Sequence, residues 1–586
     1  MTKYLKYGDS NYEKNPYIEV ENKDVKLHFD NKQIIKKINE LIRGWSNENL
    51  TIAFDYYYGI NADLIEKQII NQLNIDHKIK TDSFKKSEKE TLEMINYWLT
   101  DDRIFGKMVF LPLLSFFDAK KLKKLQTKKT KPKVTLIYGV GASLLKKADY
   151  IFYFDINRWE IQLRQRAGQD NWNAKNFKED PKRKYKRSYF IEWRSLDEHK
   201  QNIFKQIDFW IDASVDEEIK MMSGNDYRQE LAKLAHKPFR LVPFFDPGVW
   251  GGQWMKEVMN LDRSQQNYAW CFDFVAEENS LNFKIQNKLF NTPAINTMLF
   301  NPVKFLGEQV FARFGAQWPI RSDLLDCVEG QNLSLHVHPT SEFIYKNFNM
   351  NFTQDESYYI LGGKQNQTVY LGFKNNVNKK EFEDALVEAN YHSKTFDAEK
   401  FINHWPAKTH DHYLIPAGTP HCAGQDSMVL EISGNPYIFT LRMWDWGRVD
   451  FDGKPRAIEI DKAMQNINLD FNEEYSKNVL YNKTTLLEEN NKFKHEITGD
   501  SNREFFRTER YTFKKEIDLT SDGNFCLIHL VEGPSVEIYS KENKFPSFQL
   551  HYAEVMVIPA GVEKYSIKND SDYKQKIKIL KTYVKI

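Results

Sequence analysis

The stretch SLHVHP, residues 334–339, carries two histidines that alternate with apolar residues. Residues two apart on a β-strand project from the same face, so His336 and His338 point one way while Leu335 and Val337 pack on the other. Imidazole is a common ligand of divalent transition metals. The stretch therefore predicts a β domain in which one strand presents a metal centre.

Two downstream stretches offer further ligands for such a centre. Glu356 lies in DESYYIL, a predicted strand, and His421 follows a Pro-Gly turn in LIPAGTPHCAG. Three imidazoles and one carboxylate, with a position left open for substrate, suit zinc, although manganese, iron, nickel and cobalt accept similar ligands. Structural histidines with ordinary hydrogen bonds are the alternative interpretation. The turn-then-histidine pattern favours a metal site over structural histidines. We expect the nearby His410 and His412 to be surface residues or indirect contacts of the site.

The composition is that of a folded protein with more than one domain. The chain has 586 residues, of which 41% are hydrophobic and 14% aromatic, so two or three domains are expected. No stretch is long and apolar enough to cross a bilayer, and the first residues lack a secretory signal, so we expect a cytoplasmic protein that does not bind a membrane. Four scattered cysteines indicate neither a disulfide framework nor a thiolate zinc site.

The charge balance gives no reason to expect nucleic acid as a partner. Lys and Arg total 83 against 81 Asp and Glu, a formal net charge of +2. Residues 119–133 carry eight lysines, which could contact an anion or a nucleic acid. A solvated helix end and loop is the favoured interpretation, because no aromatic platform accompanies the lysines.

Strand-like and helical runs alternate over roughly the first 235 residues, which predicts an α/β domain with a parallel sheet. TIAFDYYYGINADLIEKQI, residues 51–69, has the strand, Gly-containing turn and helix of a nucleotide-binding loop, and the region resembles nucleoside and uridine kinases. Ala62 and Asp63 stand where a working loop needs Lys and Ser or Thr. We therefore expect a degenerate P-loop-like domain with a structural or regulatory role, in which Arg164, Arg166 and Arg187 could still bind an anion.

From about Leu241 the chain resembles the type I phosphomannose isomerases, metal-dependent cupin enzymes that interconvert mannose 6-phosphate and fructose 6-phosphate. The similar segments occur in the family order: PGVWGGQWMKE, NYAWCFDF, LSLHVHP, DESYYIL, YLIPAGTPHCAG, VLEIS and TLRMWDWGRVDFDGKPR. The resemblance implies a multidomain protein with mainly β cupin (jelly-roll) lobes and a helical insertion after the α/β domain. The expected boundaries are 1–235 for the kinase-like domain, 236–470 for the metal-binding cupin and 471–586 for a C-terminal cupin lobe.

The same resemblance assigns roles to individual residues. It implies a zinc site at His336, His338, Glu356 and His421, although the family usually has Gln at the first position. It further implies catalytic roles for Arg442 and Glu431, and contacts of the sugar phosphate at Arg448 and Trp250. Alternatives are that Glu431 orients a ligand or satisfies backbone donors, and that Arg442 pairs with Asp445 or Asp450.

Two positions depart from the family pattern. Asp323 and Gln354 stand where the family has lysines that would contact a sugar phosphate. Despite these two departures, the resemblance as a whole predicts an aldose–ketose isomerase acting on mannose 6-phosphate. The alternatives are a non-catalytic sugar-binding or regulatory cupin, or an isomerase of an unphosphorylated sugar.

Overall fold

The computed structural model describes residues 11–127, 133–392, 394–451 and 453–586. The chain divides into two compact units. The first, here the α/β unit, contains Tyr17–Leu234 and Glu277–Asn301. The second, here the β unit, contains Ala235–Ala276, Pro302–Ile586 and the described residues up to Pro16.

A six-stranded sheet forms the centre of the α/β unit. Its strands lie in the order His77–Lys80, Val134–Gly139, Leu50–Tyr56, Tyr150–Asp155, Phe209–Asp212 and Lys220–Ser223. The first five are parallel and the last is antiparallel. Every residue of Leu50–Tyr56 is buried, as expected for a parallel strand covered on both faces. The parallel sheet predicted for this region is therefore observed.

Helices connect and flank these strands. They are Asn31–Gly44, Ala62–Gln68, Glu88–Leu99, Ala119–Thr127, Ala142–Leu145, Arg158–Arg166, Pro181–Arg187, Trp193–Ile203, Gly224–Leu234 and Asn296–Phe300. A π-helical turn, Ser188–Glu192, precedes Trp193–Ile203. A small second sheet pairs Ile18–Glu19 with the hairpin Ser280–Ile285 and Lys288–Pro293.

The predicted nucleotide-binding loop has a strand, a short loop and a helix that begins at Ala62. Asp63 is exposed in the first turn of that helix, and its carboxylate lies 3.3 Å from the ammonium of Lys80. The P-loop-like interpretation stays a prediction.

The three arginines proposed as anion contacts have other neighbours. Arg164 lies 3.0 Å from both Glu160 and Asp216, Arg187 lies 2.7 Å from Glu192, and Arg166 covers the Trp159 ring. Arg164 and Arg187 are therefore neutralised within the protein.

The first half of the β unit consists of two antiparallel sheets. One has the order His412–Ile415, Glu356–Gly363, Ser427–Gly434, Ile320–Asp326, Trp270–Phe274 and Phe244–Asp246. The other has the order Ile402–Pro406, Thr368–Phe373, His421–Ala423, Leu335–Val337 and Leu441–Trp444. The helices around them are Trp254–Val258, Pro302–Leu306, Glu308–Phe314, Ser341–Phe348, Lys379–Tyr391, Ala398–Phe401, Ile460–Met464 and Glu473–Tyr475, with the π-helical turn Ser476–Leu480.

The second half of the β unit is another pair of sheets. A six-stranded sheet has the order Thr485–Glu489, Phe493–Asp500, Phe506–Phe513, Ile577–Val584, Cys526–Glu532 and Val555–Ile558. A four-stranded sheet has the order Glu516–Thr520, Lys564–Asn569, Ser535–Tyr539 and Phe548–His551. One apolar cluster contains Ile528 from the first sheet and Ile538 and Ile567 from the second, so the two sheets pack face to face. The mainly β architecture predicted for this part of the chain is confirmed.

Three further observations concern the membrane, the cysteines and the lysine-rich segment. Within the described residues, no helix has the length and apolarity needed to span a membrane. All four cysteines are buried and free. In the lysine-rich segment, Lys120, Lys121, Lys123 and Lys124 lie on the helix Ala119–Thr127, whereas Lys128, Lys129 and Lys131 lie outside the described residues.

Candidate metal centre

Four predicted ligands meet between the two sheets in the first half of the β unit. His336 and His421 lie directly opposite each other on neighbouring strands of the five-stranded sheet, and His338 immediately follows Leu335–Val337. Glu356 is the first residue of Glu356–Gly363, a strand of the other sheet in this half of the β unit. Ligand atoms of these four buried side chains all lie within 4.8 Å of one another. The structure thus brings together the set that the sequence predicted.

Main-chain carbonyl groups fix the orientation of all three imidazoles. The Nδ1 atoms lie 2.7 Å from the Ser334 oxygen for His336, 3.0 Å from the Phe439 oxygen for His338, and 2.8 Å from the Thr419 oxygen for His421. A carbonyl oxygen can only accept, so each Nδ1 carries a proton and Nε2 is the nitrogen left to face a metal. This is the arrangement in which histidines bind a metal through Nε2.

The carboxylate of Glu356 faces two of these nitrogens. Its oxygens lie 2.9 Å from Nε2 of His338 and 2.7 Å from Nε2 of His421. Apart from this carboxylate, neither nitrogen has a polar partner in the described residues. Lone pairs at this separation repel each other unless a cation or a proton lies between them. The donor set, three imidazoles and one carboxylate, therefore fits a divalent metal such as zinc.

The local electrostatics favour a neutral His336 and an ionised Glu356. Burial, followed by the neighbouring His421 and His338, holds the pKa of His336 well below its usual value. Burial alone would raise the pKa of Glu356, but His338 and His421 outweigh it and hold that pKa well below the usual value. At neutral pH, His336 is therefore neutral and Glu356 is ionised.

Beside the ligands, the sheet that contains Glu356–Gly363 carries a row of charged residues. Asp323 lies opposite Glu431, and Arg321 lies opposite Ser433, on paired strands. Arg321 forms an ion pair with Glu431 and lies 3.4 Å from Asp323. Sequence reasoning identified Glu431 but missed Arg321. Its position two residues before Asp323, on the same strand face, is the signal that could have found it.

Burial raises the pKa of both carboxyl groups in this row. For Glu431, the charges of Asp323 and Glu356 add to the effect of burial, and Arg321 opposes them, with a pKa well above the usual value as the result. Burial raises the pKa of Asp323 to about 6 against the opposing charge of Arg321. Glu431 is therefore a buried acid that holds its proton to higher pH than an exposed glutamate.

Arg442 lies across from His336 on the adjacent strand. Its guanidinium donates to the Ser334 hydroxyl at 3.1 Å and to the Ala457 carbonyl at 2.8 Å. Among the described residues it forms no direct ion pair with Asp445 or Asp450, although the charges of both act on it. Burial, followed by the charge of Arg456, lowers the pKa of Arg442 to about 9.

The two residues predicted to contact the sugar phosphate lie outside the four-residue cluster. Arg448 donates to Asp445 at 2.6 Å and to the Asn332 carbonyl at 2.7 Å. Trp250 is fully buried, with its ring edge-on to Trp270 at a centroid distance of 4.9 Å. Their contact with substrate stays a prediction.

Gln354 and two further histidines complete the surroundings. The Gln354 amide donates to Glu356 at 3.3 Å, so it orients a ligand. His410 lies 2.9 Å from Glu532, and the buried His412 lies 3.1 Å from the Thr498 hydroxyl. Neither histidine belongs to the metal cluster.

Comparisons with known proteins match different parts of the chain. A family described as a domain of unknown function (DUF8485) matches residues 30–236. Mannose-6-phosphate isomerase ManA of Bacillus subtilis is 22% identical over 342 residues, covering 57% of this chain and 97% of that protein. The probable mannose-6-phosphate isomerase GmuF of the same organism is 25% identical over 232 residues, covering 40% of this chain and 69% of that protein.

Solved structures similar to this chain also include proteins named as mannose phosphate isomerases. The mannose 6-phosphate isomerase of Bacillus subtilis is 19% identical, covers 60% of this chain and all of its own, and has a TM-score of 0.48. A putative mannosephosphate isomerase from Archaeoglobus fulgidus is 18% identical, covers 59% of this chain and 98% of its own, and has a TM-score of 0.43. The similarity to curated mannose-6-phosphate isomerases supports an isomerase.

Proposed function

We propose that this chain is a zinc-dependent aldose–ketose isomerase that interconverts mannose 6-phosphate and fructose 6-phosphate. The observation that carries the proposal is the buried cluster of three Nδ1-anchored histidines and one ionised glutamate. Similarity to curated proteins named mannose-6-phosphate isomerase supports the choice of reaction and substrate.

The four ligand side chains would hold the metal. Zinc in this site would act as a Lewis acid that polarises or orients oxygens of the sugar. The protein supplies the geometry, because the carbonyl groups behind the imidazoles prevent the rings from turning and Gln354 holds one oxygen of Glu356. A site built in this way is fixed before the substrate arrives.

Glu431 is the proposed proton carrier. Isomerisation removes a proton from C2 of the sugar and returns one to C1 through an enediolate. A group that both takes and gives a proton works best when its pKa lies near the working pH, and burial moves the pKa of Glu431 upward in that direction. Arg321 fixes the position of this carboxyl group and limits how far its pKa rises.

Arg442 is the proposed stabiliser of the negative charge that develops on the sugar oxygens. Its guanidinium is largely removed from water and forms no direct ion pair with a carboxylate among the described residues, so the charges of Asp445 and Asp450 oppose its field only in part. A fixed donor in such surroundings stabilises developing charge more strongly than one in water. The hydrogen bonds to Ser334 and Ala457 hold the side chain in place.

The phosphate of the substrate needs cationic contacts other than the two lysines of the family. Gln354 is neutral and Asp323 is acidic, so neither can replace those lysines. Arg448 and Arg456 both pair with Asp445, and the charges of Asp445 and Asp450 act on Arg442. Three guanidinium groups therefore face two carboxylates beside the centre. Arg448 and Arg456 are the proposed phosphate contacts.

The absence of the two lysines also favours a second candidate, an isomerase or binding protein for an unphosphorylated sugar. The test is an isomerisation assay on metal-stripped and zinc-restored protein, with mannose 6-phosphate and mannose in parallel. Zinc-dependent turnover of the phosphorylated sugar supports the proposal. Turnover of mannose alone would support the second candidate, and no turnover of either sugar by fully loaded protein would support a binding role.

A further inference from the structure

A sizeable cavity lies in the α/β unit, away from the metal centre. It has a volume of about 750 Å³ and lies where three neighbouring parallel strands end. Its walls include Tyr57 and Gly59 after Leu50–Tyr56, Asp82 after His77–Lys80, and Val140 after Val134–Gly139. A cavity of this size can enclose a small metabolite.

Strand order explains why a cavity forms at this edge. After Leu50–Tyr56 the chain forms the two strands on one side of it, then crosses to form Tyr150–Asp155 on the other side. The connections at the carboxyl ends therefore leave in opposite directions and open a crevice. In open α/β sheets, ligands bind in the crevice at this reversal point.

The cationic groups around the cavity are only partly neutralised. Five lysines line it, against four carboxylates. Lys80 pairs with Asp63 and Glu66, and Lys85 lies 2.9 Å from Asp82. The remaining lysines, Lys86, Lys121 and Lys175, form no ion pair with a carboxylate among the described residues.

The other three carboxylates of the wall accept hydrogen bonds from the main chain. Glu90 accepts from the Ser87 amide at 2.8 Å in a capping box, Asp118 accepts from the Lys120 amide at 2.8 Å, and Glu88 accepts from the Lys175 amide at 2.8 Å. These hydrogen bonds occupy carboxylate oxygens that would otherwise face a ligand. Lys86 and Lys121 have uncharged acceptors, the Met94 sulfur at 3.6 Å and the Lys85 carbonyl at 3.0 Å, so no carboxylate neutralises them directly.

We propose that this cavity binds a phosphorylated small molecule, with Lys86, Lys121 and Lys175 as the contacts of its phosphate. The cavity is larger than a phosphate ion requires, so the ligand carries an organic body, either a nucleoside or a sugar. The proposal concerns binding alone and involves no transfer of the phosphoryl group. It does not depend on the activity proposed for the metal centre.

The test is isothermal titration calorimetry of the full chain with three probes: ADP, mannose 6-phosphate and inorganic phosphate, without magnesium. The variant is Lys86→Gln with Lys175→Gln. The matched control is Lys146→Gln with Lys147→Gln, two exposed lysines of the same unit that do not line the cavity. All four substitutions are at side chains that are at least partly exposed, so the fold should be retained.

The expected result is binding of ADP or mannose 6-phosphate that weakens by about ten-fold or more in the cavity variant and is unchanged in the control. The probe that shows this loss identifies the source, nucleoside or sugar. Binding of mannose 6-phosphate at the metal centre would survive the cavity substitutions and is thereby distinguished. The proposal is overturned if neither organic probe binds at about 1 mM, if binding is equal in the variant and the control, or if phosphate alone binds as tightly.

Discussion

Replacement of His338 by Ala should uncouple the stability of the protein from zinc. His338 is one of four ligands, and its Nε2 atom faces Glu356 at 2.9 Å. Loss of a residue that only orients a ligand costs about 10–100-fold in metal affinity, so loss of a ligand should cost at least about 100-fold. At a free zinc concentration of about 100 times the wild-type Kd, wild-type protein gains about 2.7 kcal/mol, and the variant gains about 0.4 kcal/mol.

The assay is urea unfolding in a zinc buffer and in chelator, with the increment taken within each protein. The cavity left by the missing ring destabilises both samples of the variant equally, so it does not enter the increment. His404→Ala is the matched control, because His404 is half-buried and lies outside the cluster. Equal zinc increments in wild type and His338→Ala would refute the assignment of the site, as would loss of the increment in the control.

Three further predictions concern catalysis, pH and packing. Arg442→Gln should lower kcat by about 100-fold or more while zinc content stays unchanged, and steady-state kinetics with metal analysis checks this. Glu504→Gln should stabilise the protein more at pH 8 than at pH 5, as measured by urea midpoints. Burial, followed by the charge of Asp355, raises the pKa of Glu504 well above 4.5. Ionisation of this carboxyl group therefore destabilises the folded wild type as pH rises, and the neutral Gln side chain avoids that loss. Ile528→Ala should cost about 2–5 kcal/mol in urea unfolding, because Ile528 is fully buried between the C-terminal sheets.

A specific experimental result would contradict each of these predictions. Unchanged kcat in Arg442→Gln would remove the role assigned to the guanidinium. The same pH dependence in wild type and Glu504→Gln would mean that this carboxyl group keeps an ordinary pKa. Leu486 is half-exposed, and Leu486→Ala should change stability by less than about 0.5 kcal/mol. A loss as large as that of Ile528→Ala would contradict the position assigned to the C-terminal core.

The regular parts of the fold follow from local sequence patterns. The strand-like run that contains Leu50–Tyr56 predicts a strand of a parallel sheet, and that strand is fully buried in such a sheet. The alternation in SLHVHP predicts that His336 and His338 share one face, and both reach the same cluster. In such segments the backbone period alone decides where the side chains point.

Features made by contacts between distant residues could not be predicted. The oxygen that orients His338 belongs to Phe439, about a hundred residues further along the chain. The hairpin within Glu277–Asn301 belongs to the α/β unit although the chain around it belongs to the β unit, and no local pattern marks this return. The cavity at the sheet edge is likewise assembled from loops that follow three strands, and only the strand order explains it.

Arg321 shows the same limit inside the candidate site. The sequence identified Asp323 as a departure that weakens binding of an anion. The structure adds the neighbouring Arg321, which pairs with Glu431 and opposes the rise in pKa of both carboxyl groups. Strand pairing between Ile320–Asp326 and Ser427–Gly434 creates this contact, and that pairing is not encoded in either segment alone.

The most direct test of the central claim is the rate of mannose 6-phosphate isomerisation by the full chain after removal of metal and after addition of one equivalent of zinc. The structure predicts no turnover without metal, recovery with zinc, and no recovery in His338→Ala. Wild-type protein that binds zinc stoichiometrically and still leaves mannose 6-phosphate unchanged would contradict the proposed isomerase.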